Sequence, residues 1–182
     1  NVLNARPEDG EAHFMLGDVL FKVEEYRDGL FHLKEAVRID EKQPEWRMRL
    51  AQVMFAFRLY DDAMQHVDAV LEADPKNIEA LLLRGGAHSV KGEIDPMLAD
   101  IDAALAIDPK HKGALAFKAQ ALGRKGDVAG AEEYLRKLLE VEPTTNNHLL
   151  MARFLATLGR HPEALDESRS AIEVAKNSEE KV

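Results

Sequence analysis

The stretch Leu50 to Pro75 reads LAQVMFAFRLYDDAMQHVDAVLEADP, and its echo along the chain decides the fold. Its closing Pro75 returns as Pro109 and Pro143, each 34 residues on. Ala51 belongs to a column with Gly17, Gly85 and Ala119, and Ala63 to one with Gly29, Met97 and Ala131. Val67 aligns with Leu33, Ile101 and Leu135, and Val70 with Ala36, Ala104 and Leu138. After one step of 33 the four columns end at Ala152, Ala164, Ser168 and Ala171. The short step places a one-residue deletion in the turn around Thr144 to Asn147. A shared period of this length marks stacked supersecondary units rather than one irregular core.

Apolar spacing within each unit is helical. Leu16, Val19 and Leu20 fall on one stripe, as do Leu50, Val53 and Met54, while Leu33, Ala36, Val37 and Val67, Val70, Leu71 form a second stripe. Gly92, Gly126 and Gly159 lie between the two halves, where a left-handed residue closes a helix. Asp95 before Pro96 predicts an N-cap and a first helical residue. The Asp-Pro pairs at 74–75 and 108–109 end the second helix, because a residue before Pro avoids the helical region. No segment alternates with a period of two, so no sheet is expected.

These residues resemble the tetratricopeptide repeat (TPR) family, whose pattern has Leu-Gly on the first helix, Ala, a large apolar residue and Ala on the second, and Pro at the close. Leu16-Gly17 and Leu50-Ala51 fit it, as do Ala63/Val67/Val70/Pro75 and Ala131/Leu135/Leu138/Pro143. The departures are Arg84 and Lys118 for Leu, Gly29 and Met97 for Ala, Glu41 for Pro, and Leu20, Met54, His88, Leu122 and Leu155 for Tyr. The resemblance implies an all-α, right-handed superhelical solenoid of antiparallel helix pairs. The expected units are 10–43, 44–77, 78–111, 112–144 and 145–177. Residues 1–9 are expected to be the remnant of a preceding repeat, with Val2, Leu3 and Ala5 in the apolar columns and Pro7 in the closing position, and 178–182 a polar tail. The chain is thus expected to come from a longer array.

Composition narrows the function. The 182 residues carry 24 Lys and Arg against 33 Asp and Glu, a formal charge of -9. The acidity is even, with 12 basic and 17 acidic groups in residues 1–91 and 12 and 16 in residues 92–182. No basic face is left for nucleic acid or an anionic membrane. No apolar run is long enough to span a bilayer, and no signal peptide is read at Asn1. The absence of Cys excludes thiol chemistry and disulfides. Localisation stays open.

No catalytic constellation or cofactor motif is found. The seven histidines never fall three or four apart, so no HExxH-type metal site exists. Asp100-Ile101-Asp102 lacks the Gly and Glu of a calcium loop. Gly85-Gly86 and Gly123 to Gly126 are no phosphate cradle. His32 and His66 share a column and read as a surface row, and His88 as a partly buried packing residue.

The resemblance implies that first helices line a concave face suited to an extended peptide or a helix. Residues at i, i+4 and i+7 should project there. These are Phe14, Asp18 and Phe21; then Met48, Gln52 and Phe55 with Arg49 beside them; then Leu82. Further on come Gln120 with Phe117 and Arg124, then Arg153. Phe14, Phe21, Met48, Phe55 and Phe117 can equally pack between neighbouring helices. One TPR subclass clamps the carboxylate of chaperone tails, but the matching residues here, Phe14, Asp18, Arg49, Glu79 and Leu83, cannot supply paired cations. The expected function is a non-enzymatic scaffold that binds a protein or peptide in this groove, with Phe14→Asp and Met48→Asp expected to abolish capture and spare helicity. Alternatives are the regulatory or substrate-presenting arm of a glycosyltransferase or sulfotransferase, or end-to-end self-association into an array.

Overall fold

The computed structural model describes residues 8–179 and is helical, with no strand among them. In chain order the helices are α1 (Gly10–Lys22), α2 (Tyr26–Ile39), α3 (Pro44–Ala56), α4 (Tyr60–Ala73) and α5 (Ile78–Lys91). They continue as α6 (Ile94–Ile107), α7 (Lys112–Lys125), α8 (Val128–Val141), α9 (Thr145–Thr157) and α10 (His161–Glu179). The expected remnant, with Val2, Leu3, Ala5 and Pro7, and the end of the expected tail, from Glu180, lie outside the described residues. None of the described helices is long and apolar enough to cross a membrane.

Helix starts follow local hydrogen bonding. Asp9, Asn77, Asp127 and Thr144 side chains accept from the backbone N–H three residues on, at 3.0, 2.9, 2.9 and 3.3 Å. His111 Nδ1 does the same for Ala114 N–H at 3.2 Å. Pro44 begins α3, where its missing N–H costs nothing. The expected cap at Asp95 is corrected: α6 starts at Ile94 behind Glu93, and Asp95 instead pairs with Lys125 at 2.8 Å. Gly92, Gly126 and Gly159 have φ of 78°, 86° and 75°, closing their helices in the left-handed region. Glu24 and Arg58, in the same column, adopt φ of 65° and 63° with side chains that disfavour it.

The described residues divide into two compact units, 8–87 and 88–179. In the first, Leu33, Ala36, Leu50, Ala51, Ala63, Val67 and Val70 are buried, and α2 packs on both α1 and α3. In the second, Met97, Ile101, Ala104, Ala131, Leu135, Leu138 and Ala171 are buried. Every member of the four repeat columns is buried except Ser168, which is half-buried. Val19 departs from its expected stripe: it is 52% exposed, whereas Val53, in its column, is 5% exposed. The helix that carries Val53, α3, has α2 before it to pack on, whereas among the described residues no helix precedes α1.

Two departures from the family pattern have a physical cause. Arg84 reaches Asp68 at 2.8 Å within the first unit. Lys118, 8% exposed, reaches Asp102 at 2.5 Å within the second. Each cation takes the usual Leu position and reaches the carboxylate 16 residues earlier, so a half-buried charge at Arg84 and a nearly buried one at Lys118 are compensated.

Candidate partner-binding recess

Five of the expected groove residues converge in the first unit. Phe14 and Asp18 of α1 and Met48, Arg49 and Gln52 of α3 line one recess of about 440 Å³. Pro44, Glu45, Asn77 and Glu79 complete it. The α1–α3 side brings the apolar surface, because Phe14 stacks on Trp46 at 5.7 Å and 19°. Trp46 in turn lies over Gly10, where a β-carbon would come within 2.8 Å of the indole.

Charge in the recess is unequal. Arg49 Nε donates to Asp18 Oδ1 at 2.5 Å, and its guanidinium stands 5.8 Å over the Phe21 ring. Arg49 is thus neutralised within the wall. Glu45 and Glu79 are exposed carboxylates with no ion pair among the described residues. The lining therefore carries an excess of negative charge beside an aromatic ring.

The remaining expected residues divide. Phe21 turns to Tyr26 and Phe57 at 5.9 and 6.3 Å, an aromatic cluster apart from the recess lining. Phe55 packs edge-on against Tyr60 and touches Gly86. Leu82 and Phe117 are half-buried, and Gln120 is exposed. Arg124 is exposed and donates to Ser89 Oγ at 2.7 Å and Ser89 O at 3.1 Å. Arg153 lines a separate, apolar recess of the second unit with Leu149, Ala152 and Leu165. The expectation that Met48→Asp would leave helicity intact needs correction, because Met48 is 7% exposed and a carboxylate there would be buried. Glu45 and Glu79 were not expected here, although they share a column with Glu11, and that acidic column is the signal that could have found them.

The histidines form a second pattern. His32 and His66 do not make a row with each other; each faces the residue 19 positions earlier, on the first helix of its own pair. His13 Nδ1 and His32 Nδ1 are 2.9 Å apart with His13 buried, and Arg47 Nη1 stands 3.5 Å from His66 Nδ1. In the second unit the same spacing gives His148 Nδ1 and Glu167 Oε2 at 2.8 Å. Burial, then the charge of His13, holds His32 below its ordinary 6.5, against the opposing pull of Asp28 and Glu35. Burial and then Arg47 hold His66 below it too, with Lys34 adding to the shift and Asp62 opposing it. Among the described residues no three His, Asp or Glu side chains are grouped to hold a metal.

Models of the tetratricopeptide repeat family match residues 20–86 and 118–179. No curated protein sequence matches the chain. Solved structures match across its length. MamA of Desulfovibrio magneticus RS-1 is 16% identical with a TM-score of 0.80, over 92% of this chain and 96% of that one. TTC0263, a thermophilic TPR protein of Thermus thermophilus, is 20% identical with a TM-score of 0.72, over 92% of each. YrrB, described as a TPR protein with an unusual peptide-binding site, is 16% identical with a TM-score of 0.70, over 95% and 90%. At these identities the likeness is one of fold.

Proposed function

Because this chain belongs to the tetratricopeptide repeat family, a fold of protein-interaction scaffolds, we propose that it binds an extended peptide in the recess between α1 and α3. The segment bound carries an apolar side chain next to a lysine or arginine. One observation carries this reading: Phe14, Met48 and Gln52 converge with two carboxylates, Glu45 and Glu79, whose charge no neighbour offsets, while the single cation Arg49 is already paired. An apolar side chain would lie on Phe14, and a cation beside it would satisfy Glu45 and Glu79. Peptide binding by the YrrB fold relative is compatible with this use of the architecture. The scaffold role needs no catalytic group.

Selection from a random library of about twelve-residue peptides tests it, on the scale of an element laid along a groove. Enriched peptides should pair an aromatic or branched apolar residue with Lys or Arg. Their affinity should fall at least about tenfold, ~1.4 kcal/mol, in Phe14→Ala and in Glu45→Lys/Glu79→Lys. All three sites can change without burying a charge. Enrichment of acidic peptides, or affinity unchanged by these substitutions, would overturn the assignment.

A further inference from the structure

We propose that acid opens the helix pairs α1–α2 and α3–α4 while leaving α9–α10 closed, so that the recess between α1 and α3 comes apart as the solution is acidified. The opening rests on the two bridges alone; only release of a bound peptide rests on the recess reading above.

The geometry at one pair of columns carries it. The first-helix residue four into a repeat and the second-helix residue 19 later face each other across the pair. In α1–α2 they are His13 and His32. A contact of 2.9 Å between two Nδ1 atoms needs one ring to donate and the other to accept. When both rings are protonated both Nδ1 atoms carry hydrogen, and the bond becomes a clash of two cations. In α3–α4 the partners are Arg47, which stays charged, and His66, which can accept only while neutral. Protonation there also sets cation against cation. In α9–α10 the residue facing His148 is Glu167 at 2.8 Å, a carboxylate that accepts from an imidazole N–H, so no second cation stands across that pair. Thus acid sets cation against cation across the first two pairs and not across the last.

The surrounding charges do not reverse these signs. Asp28 and Glu35 of α2 can stabilise one proton on His32, but His13 then faces a cation. Around His66, Lys34 of α2 and Arg47 of α3 oppose protonation and Asp62 of α4 favours it; Arg47 is itself paired with Glu41 at 3.3 Å, which lessens but does not reverse its effect. The net direction for both is downward. Through His32 and His66, each folded pair therefore binds fewer protons than the unfolded chain near pH 6.5. Its stability is present in full above that value and is lost as the pH falls toward the lower folded values. In the second unit, His88 faces two carboxylates, Glu93 at 2.5 Å and Asp100 at 3.8 Å. His111 Nδ1 accepts from Ala114 N–H at the start of α7, so α9–α10, where a histidine faces a carboxylate, is the internal reference.

The consequence for the recess is direct. Phe14 follows His13 on α1, and Met48 and Arg49 follow Arg47 on α3. Opening either pair moves a wall of the recess.

Residue-resolved hydrogen exchange of the whole chain, between about pH 7.5 and about pH 5 and corrected for intrinsic rates, tests this directly. Protection in α1–α4 should fall at least about tenfold, and protection in α9–α10 should hold. In His32→Gln/His66→Gln the amide oxygen accepts from His13 or Arg47 at any pH, so the differential loss should vanish. A second variant, His13→Leu/His32→Tyr, installs the Leu115 and Tyr134 of the same two columns and should remove it from α1–α2 alone. Equal loss in α1–α4 and α9–α10, or a differential loss that survives both variants, would overturn the proposal. No peptide takes part in this measurement, so its failure is distinct from failure of the recess reading.

Discussion

Gly29 stands where the family pattern has Ala, and the structure gives the reason. A β-carbon there would lie 2.9 Å from the Phe21 ring and 3.2 Å from the Gly17 carbonyl. Gly17 meets the same crossing from the other side, with Leu33 Cγ 2.8 Å from its would-be β-carbon. Two glycines thus let α1 and α2 approach closely while Phe21 fills the space a methyl would take. Gly29→Ala should therefore destabilise the chain by about 1–3 kcal/mol despite the better helix propensity of Ala. Combining it with Phe21→Leu should recover part of the loss in a denaturant titration. A Gly29→Ala chain as stable as the parent would show that Phe21 yields at no cost. The column position of Gly29 was legible in the sequence; its close approach to Phe21 was not, because spacing along one helix does not say what an aromatic on another helix occupies.

At the scale of the element, the turn inside each helix pair is the most regular feature. It places residues 24, 58, 92, 126 and 159 in the left-handed region. Glycine is easily read at the last three, and the sequence pointed to those turns. Glu24 and Arg58 hide the same turn behind side chains, so only the backbone shows it. A non-glycine residue there costs roughly 1–2 kcal/mol, and glycine costs roughly 0.5–1 kcal/mol in chain entropy. Glu24→Gly and Arg58→Gly should each raise stability by about 0.5–1 kcal/mol, seen as a higher melting temperature. A fall in melting temperature would mean that these side chains contribute more than their strain removes. The helix starts were less legible. Asp95 has the right chemistry for a cap, but Glu93 precedes the first turn and the Asp95 carboxylate goes to Lys125. Local preference there yields to an ion pair between helices 30 residues apart in sequence. The groove residues divided for a similar reason. Phe14 and Phe21 are seven apart on one helix, yet Trp46 draws the first to the recess and Tyr26 holds the second away from it.

At the scale of the whole molecule, repeats contact mainly their neighbours, so damage should stay local. Leu135 is buried with Ala119, Met151, Leu155 and Ala164. Leu135→Ala should cost about 2–5 kcal/mol. Hydrogen exchange should show lost protection in α7–α10, with α1 and α2 changed little. Uniform loss along the chain would mean that the array unfolds as a single unit.

The same molecule carries one tryptophan, and its place gives the array a built-in optical probe. Trp46 touches Phe14 at the edge of the recess and belongs to α3, whose Arg47 faces His66. Its emission therefore senses both a peptide arriving on Phe14 and any movement of α3 against α1. A binding titration and an acid titration can be followed on the unlabelled chain, with the second unit dark when excitation is confined to wavelengths that tyrosine does not absorb.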